Sequence, residues 1–251
     1  MSSSPFNPLG PAHFSSEKAE RQAPVQFPKR VGIFFATREG HTARIAERIA
    51  DDLRILGFDV DLLPVLRPIP FKLANYSAAI LAASVHAGSH EKEMVQFVKD
   101  HRSELERIPT AFLSVTLSEA GAERLDATPK EHAQFVSDVN RMLAKFFKET
   151  KWHPLLVKPV AGALLYTRYN YLVRIIMRAI AKKAGAATDT SRDYVYTDWV
   201  GLDKFTDALA EEIQRFHPAP AQEAKMRQDG SIDGKGAAKQ EKAHPGNSQP
   251  F

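Results

Sequence analysis

The chain contains no cysteine in its 251 residues. That absence removes disulfides, thiolate nucleophiles, CxxC redox pairs, iron–sulfur clusters and cysteine zinc sites. Redox chemistry, if there is any, must be carried by a bound cofactor. No run of about 18 uncharged apolar residues occurs, so no transmembrane helix is expected. The first thirty residues lack the continuous apolar core of a secretory signal, and a soluble protein of the cytoplasm is the expectation. Nine histidines are scattered without an HExxH pattern, which gives no reason to expect a metal site. No Ser–His–Asp or paired-carboxylate spacing can be recognised, so no residue is named as an acid–base catalyst.

What is present is globular. Hydrophobic residues make up 43% of the chain, and 34 Lys+Arg against 30 Asp+Glu give a net charge of +4. The composition is uneven along the chain. Residues 1–28 and 218–251 are rich in Ser, Pro, Ala, Gly and charge. Neither can bury enough apolar area to offset chain entropy, and both read as disordered extensions. Between them, 29–217 is long enough for one sizeable core.

Within that core, apolar runs alternate with helical patterns. Strands are expected at Val31–Ala36, Phe58–Leu63, Ala78–Ser84, Thr110–Val115 and Leu155–Leu164, the last with Pro159 favouring an edge or a bulge. Helices are expected at Thr42–Leu56, His90–Arg107, Pro129–Glu149, Arg168–Ala184 and Leu202–Phe216. Such alternation implies parallel strands, right-handed crossovers and a three-layer α/β sandwich. Ligands of open parallel sheets bind beyond the carboxyl ends of the strands.

The loop after the first strand is Thr37–Arg38–Glu39–Gly40–His41–Thr42. It is neither GxGxxG nor a Gly-Lys-Ser/Thr loop. Two hydroxyls flank a turn that opens a helix, whose unpaired amides and dipole favour an anion. On these residues alone, a plain turn with Thr42 as helix cap is an equal reading. The position after the first strand favours the anion site.

Thr-x-x-Gly-x-Thr at this position resembles the FMN phosphate loop of flavodoxins. Three further segments resemble one branch of that superfamily: Ser84–His90, Ala161–Tyr169 and Thr188–Trp199. That branch is the flavodoxin-like protoporphyrinogen oxidases, or menaquinone-dependent protoporphyrinogen IX dehydrogenases. The resemblance implies a five-stranded parallel sheet of order 2-1-3-4-5 with FMN at its carboxyl edge. An insertion over 165–194 would divide the last strand, as in long-chain flavodoxins. The implied activity is oxidation of protoporphyrinogen IX to protoporphyrin IX in haem biosynthesis, with electrons passed to a quinone. By resemblance, Thr37 to Thr42 would bind phosphate. Ser84, Val85, His86, Ala87 and Gly88 would lie along one side of the flavin ring. Ser114, Val115, Thr116, Leu117 and Ser118 would lie along the other. Flavodoxins commonly stack an aromatic side chain on the ring; the second loop departs from this, offering only His86.

Between Arg141 and Arg192, eleven Lys/Arg face only Glu149 and Asp189. The cations Arg168, Arg174 and Arg178 are candidates for substrate or membrane contact. A basic amphipathic helix can lie on an anionic membrane, attract a multi-carboxylate porphyrin precursor, or simply pack on the sheet with its charges solvated. All three readings stand. No nucleic-acid motif accompanies the charge, and a homo-oligomer is compatible with the sequence. A peripheral position on the cytoplasmic face of the inner membrane follows from the quinone expectation. The competing classes are a flavodoxin-type electron carrier, another FMN-dependent quinone reductase and a flavin-free adaptor. Carriers are usually acidic, and a pI near 9.2 speaks against that one.

Overall fold

A computed structural model describes residues 30–67, 70–168, 178, 181–182 and 186–217. The extensions expected at 1–28 and 218–251 lie outside the described residues. The six strands that come first in the chain are β1 (Arg30–Ala36), β2 (Asp59–Pro64), β3 (Ala78–His86), β4 (Ser89–His90), β5 (Thr110–Thr116) and β6 (Leu156–Ala161). Five of them form a parallel sheet of order β2-β1-β3-β5-β6, and β4 hangs antiparallel on β3. Counted without β4, this is the expected 2-1-3-4-5 order. Pro159 sits on the edge strand opposite Ser114, where the donor it lacks is not needed.

Strand parity divides the core into two. Val31, Ile33, Ile80, Ala82, Leu113 and Val115 point to one face. There α1 (His41–Ile55) buries Ile45, Ala46, Ile49, Ala50 and Leu53 on one stripe. The last of the described helices, α5 (Trp199–Phe216), adds Leu202, Leu209, Ala210 and Ile213. Phe34, Leu81, Ala83 and Phe112 point to the other face, with Phe97, Phe146 and Trp152. Helices α2 (Lys92–Leu105) and α4 (Pro129–Thr150) cover that side. Each fully buried Leu, Ile or Phe contributes about 1.5–3 kcal/mol. Thr128 opens α4 with a capping box: its backbone N–H donates to Glu131 Oε2 at 2.9 Å, and Glu131 N–H donates to Thr128 Oγ1 at 3.3 Å.

Three elements differ from the sequence expectation. The second helix starts at Lys92 rather than His90, because β3 runs on to His86 and turns back through Ala87 and Gly88 into β4. Both turn residues have positive φ, 48° and 75°, the geometry of a two-residue type I′ hairpin. The segment after β5 is helical rather than a loop: Thr116 caps α3 (Leu117–Ala122) by accepting from Glu119 N–H at 2.9 Å. The 165–194 insertion leaves through β7 (Ala163–Leu164) and returns through β8 (Tyr194–Val195), paired antiparallel. The expected helix Arg168–Ala184 falls mostly outside the described residues. Among the described residues, no helix is long and apolar enough to cross a membrane.

Candidate functional site

The loop Thr37–Thr42 leaves the end of β1 and opens α1 directly. Its turn is set by Gly40, whose φ of 93° is left-handed and disfavours side chains. Thr37 Oγ1 accepts from Gly40 N–H at 3.0 Å. Among the described residues no side chain caps α1, and Thr42 is its second residue, 1% exposed. The plain reading of Thr42 as a cap therefore fails. Among the described residues, the N–H groups of His41, Thr42 and Ala43 find no partner in a side chain or in another part of the chain. Such a helix start is open to an anion.

His41 is buried against α5. Its Nε2 lies 2.7 Å from Thr197 Oγ1, which itself donates to Ala161 O at 2.7 Å. The hydroxyl proton being spent on Ala161, Nε2 must be the donor and Nδ1 the bare nitrogen. Among the described residues, that Nδ1 is buried without a partner. Burial, then the nearby Arg44, lowers the imidazole to about 4, so His41 is neutral. An uncapped helix and an orphaned buried acceptor at one turn fit a polar ligand there.

The second loop is the hairpin Ser84–Gly88, and it is tied to the first by charge. His86 Nε2 lies 3.3 Å from Glu39 and 3.1 Å from Glu91, off the line of a good hydrogen bond. Contact with Glu39 and then Glu91 outweighs burial and lifts the imidazole to about 9. His86 is thus cationic at neutral pH. Burial pushes the Glu91 carboxyl up, yet His86 and Arg38 hold it below the usual carboxylate range. Arg38, exposed in the loop, turns to Glu91 at 2.9 Å and Glu93 at 3.1 Å. Ser84 Oγ completes the group, 3.2 Å from Glu91 Oε1. Val85 is half-buried, and Ala87 and Gly88 lie exposed at the tip.

The third segment divides. Ser114 and Val115 are inside β5: the Ser114 hydroxyl is fully buried and 2.8 Å from His90 Nε2, and Val115 packs in the aliphatic core. Thr116 is committed to capping α3. Leu117 and Ser118, half-buried in its first turn, stand at the strand end. His90 is a core residue between Phe112 and Phe146, held near 4 by burial and then Lys145.

Of the three candidate contact cations, Arg168 reaches the Thr37–Thr42 loop itself, donating from Nη1 to Glu39 O at 2.9 Å. Arg178 is exposed and helical, and Arg174 lies outside the described residues. Sequence reasoning missed Thr197, Glu91 and the reach of Arg168. Only Thr116-x-x-Glu119, a capping signature, carried a local signal for what it missed here. Among the described residues, no group of three or more His, Asp or Glu could hold a metal ion.

Comparison with known proteins gives the chain its relatives. A family model described as a flavodoxin domain matches residues 32–191. A Leishmania major protein named protoporphyrinogen IX dehydrogenase [quinone] is 32% identical over 217 residues, covering 84% of this chain and 88% of its own. The protein of the same name from Escherichia coli K12 is 34% identical over 178 residues, covering 71% of this chain and 93% of its own. Among solved structures, a Streptococcus pneumoniae TIGR4 flavodoxin aligns at 19% identity and a TM-score of 0.39, over 73% of this chain and 99% of that one. The flavodoxin-domain match supports a flavin as the class of cofactor. With its parallel 2-1-3-4-5 sheet and this turn after β1, the chain belongs to the flavodoxin family, in the group whose curated members carry the name protoporphyrinogen IX dehydrogenase [quinone].

Proposed function

We propose that this protein oxidises protoporphyrinogen IX to protoporphyrin IX with FMN as its cofactor and a quinone as electron acceptor. Identity of 32–34% with proteins of that name, over most of both chains, carries the reading. The uncapped start of α1 favours FMN among flavins, because one phosphate suits one helix N-terminus. When bound, FMN supplies the electron transfer that a chain without thiols cannot.

The residues divide the remaining work. Thr37, Thr42 and the first amides of α1 would hold the phosphate. The hairpin at Ser84–Gly88 and the start of α3 at Leu117–Ser118 would flank the ring. His86 would place a fixed positive charge beside it, in the position where an aromatic side chain is usual. The lipid solubility of quinones brings the protein to a membrane surface, and the cations between Arg141 and Arg192 suit an anionic one.

An anaerobic assay of flavin-loaded protein with protoporphyrinogen and a quinone tests this. Porphyrin fluorescence should appear in proportion to quinone supplied. Porphyrin formation at the uncatalysed rate, with flavin bound, removes the substrate assignment.

A further inference from the structure

Two arginines meet the phosphate loop, and they are not alike. Arg38, within the loop, is matched by two carboxylates, Glu91 and Glu93. Arg168 comes from the far side of the chain and bonds no carboxylate among the described residues; its Nη1 donates to a backbone carbonyl, Glu39 O. The same nitrogen would lie 3.0 Å from a Cβ at Gly40. The guanidinium therefore rests on the turn itself. One of its five N–H donors is used in that bond, which leaves the fork capable of a second partner.

The arm that carries it is firmly built. Arg168 closes a 3-10 turn at Tyr166–Arg168, its N–H donating to Leu165 O at 2.9 Å. Leu164, Leu165 and Tyr166 are buried beneath it, and Tyr166 Oη donates to Ala187 O at 2.8 Å. Thr167 is pinned twice by Asp193, through its N–H at 2.9 Å and its hydroxyl at 2.8 Å. Asp193 is thus spent on Thr167.

The contact also orients the loop. In a trans peptide, the C=O and the following N–H point in opposite directions. Drawing Glu39 O toward Arg168 turns Gly40 N–H the other way, onto Thr37 Oγ1. One bond thereby fixes a peptide plane in the middle of the turn and adds a positive charge next to it.

We infer that Arg168 is a phosphate-binding residue of the flavin site: it supplies the charge that makes the protein prefer a flavin carrying a phosphate over the same flavin without one. The inference rests on the flavin reading of this edge and adds its specificity determinant. It also gives the insertion a task at the cofactor, separate from any task at a membrane. A charge-assisted contact of this kind changes affinity roughly 10-fold to 100-fold.

The test is a fluorescence-quenching titration of the full chain, stripped of flavin, with FMN and with riboflavin. Arg168→Gln should weaken FMN by about 10-fold to 100-fold and leave riboflavin within twofold. Arg168→Lys keeps the charge without the fork, and should fall between the two. Raising salt should shrink the preference for FMN in wild type and do so less in Arg168→Gln. Unchanged FMN affinity in a folded Arg168→Gln overturns the inference while sparing the flavin reading. Equal losses for FMN and riboflavin overturn it too, since Arg168 would then only shape the loop. If Arg168→Gln does not fold, Arg168→Lys and the salt series decide between the same outcomes. Wild-type protein that binds neither flavin overturns the flavin reading and this inference with it.

Discussion

The two faces of the sheet are built from different materials. The α1–α5 face is aliphatic, with Ile, Leu, Val and Ala interleaved and Phe58 the only aromatic ring among its buried residues that are described. The α2–α4 face is aromatic: Phe112 stacks on Phe146 at 4.3 Å, and Phe34, Phe97 and Trp152 extend the cluster. The face carrying the small residues is also the face whose first helix begins at the Thr37–Thr42 turn. Small side chains allow α1 to sit close on the strands, and its N-terminus then lies at the sheet edge. The aromatic face supplies bulk and burial. Ligand binding and stability should therefore separate by face.

Phe112→Ala is the largest expected effect. Removing a buried Phe from the aromatic face costs about 3–5 kcal/mol, to be read by urea unfolding, and flavin affinity of the folded protein should stay within twofold. Thr42→Ala should do the opposite. FMN should bind about 10-fold to 150-fold more weakly, the value of a hydrogen bond to a charged group, with the thermal midpoint unchanged. Equal behaviour of the two variants in both assays breaks the division.

Each face buries one neutral histidine, and both should make the protein acid-sensitive. His41 and His90 are held near 4 in the folded chain, whereas the unfolded chain takes up protons from about 6.5. Stability is fullest above pH 6.5 and falls as pH drops toward 4, by about 1.4 kcal/mol per pH unit for each histidine. His90→Gln should remove its share of that slope in urea midpoints measured across the range; an unchanged slope removes His90 as its source. Thr128→Ala, which opens the capping box of α4, should cost about 1 kcal/mol, again without touching flavin affinity.

The smallest effect is at the seam between the faces. His86, raised to about 9, contributes stability below pH 6.5 that fades as pH rises through 9, the reverse of His41. Its side chain is 38% exposed, so solvent screens the pairing. His86→Gln should flatten the alkaline limb and leave the acid limb in place.

The strands were legible because a parallel sheet buried on both faces leaves unbroken apolar runs such as Ala78–Ser84. Helices α1 and α5 were legible by their period, and the Thr37–Thr42 loop by its place after the first strand. The hairpin was not, since Ala87–Gly88 lacks the Asn-Gly or Asp-Gly signal of a type I′ turn. The Thr116–Glu119 cap was present in the sequence and went unused. What was beyond reach is long-range: Thr197 meets His41 across 156 positions and Arg168 meets Glu39 across 129. Periodicity reports on neighbours and carries no information about such pairs.

The β7–β8 ladder has a consequence for how this chain tolerates change. Leu164 and Tyr194 are paired across it in a two-stranded sheet of their own, so the segment between them starts and ends at nearly one point. The thermodynamic cost of a closed loop grows only with the logarithm of its length, about 0.6 kcal/mol for each doubling. The parallel sheet takes none of its strands from between those paired residues. A change of length between Arg168 and Ala187 should therefore cost the fold little, provided Ala187 and Asp193, which hold Tyr166 and Thr167 and so carry Arg168 to the turn, are kept.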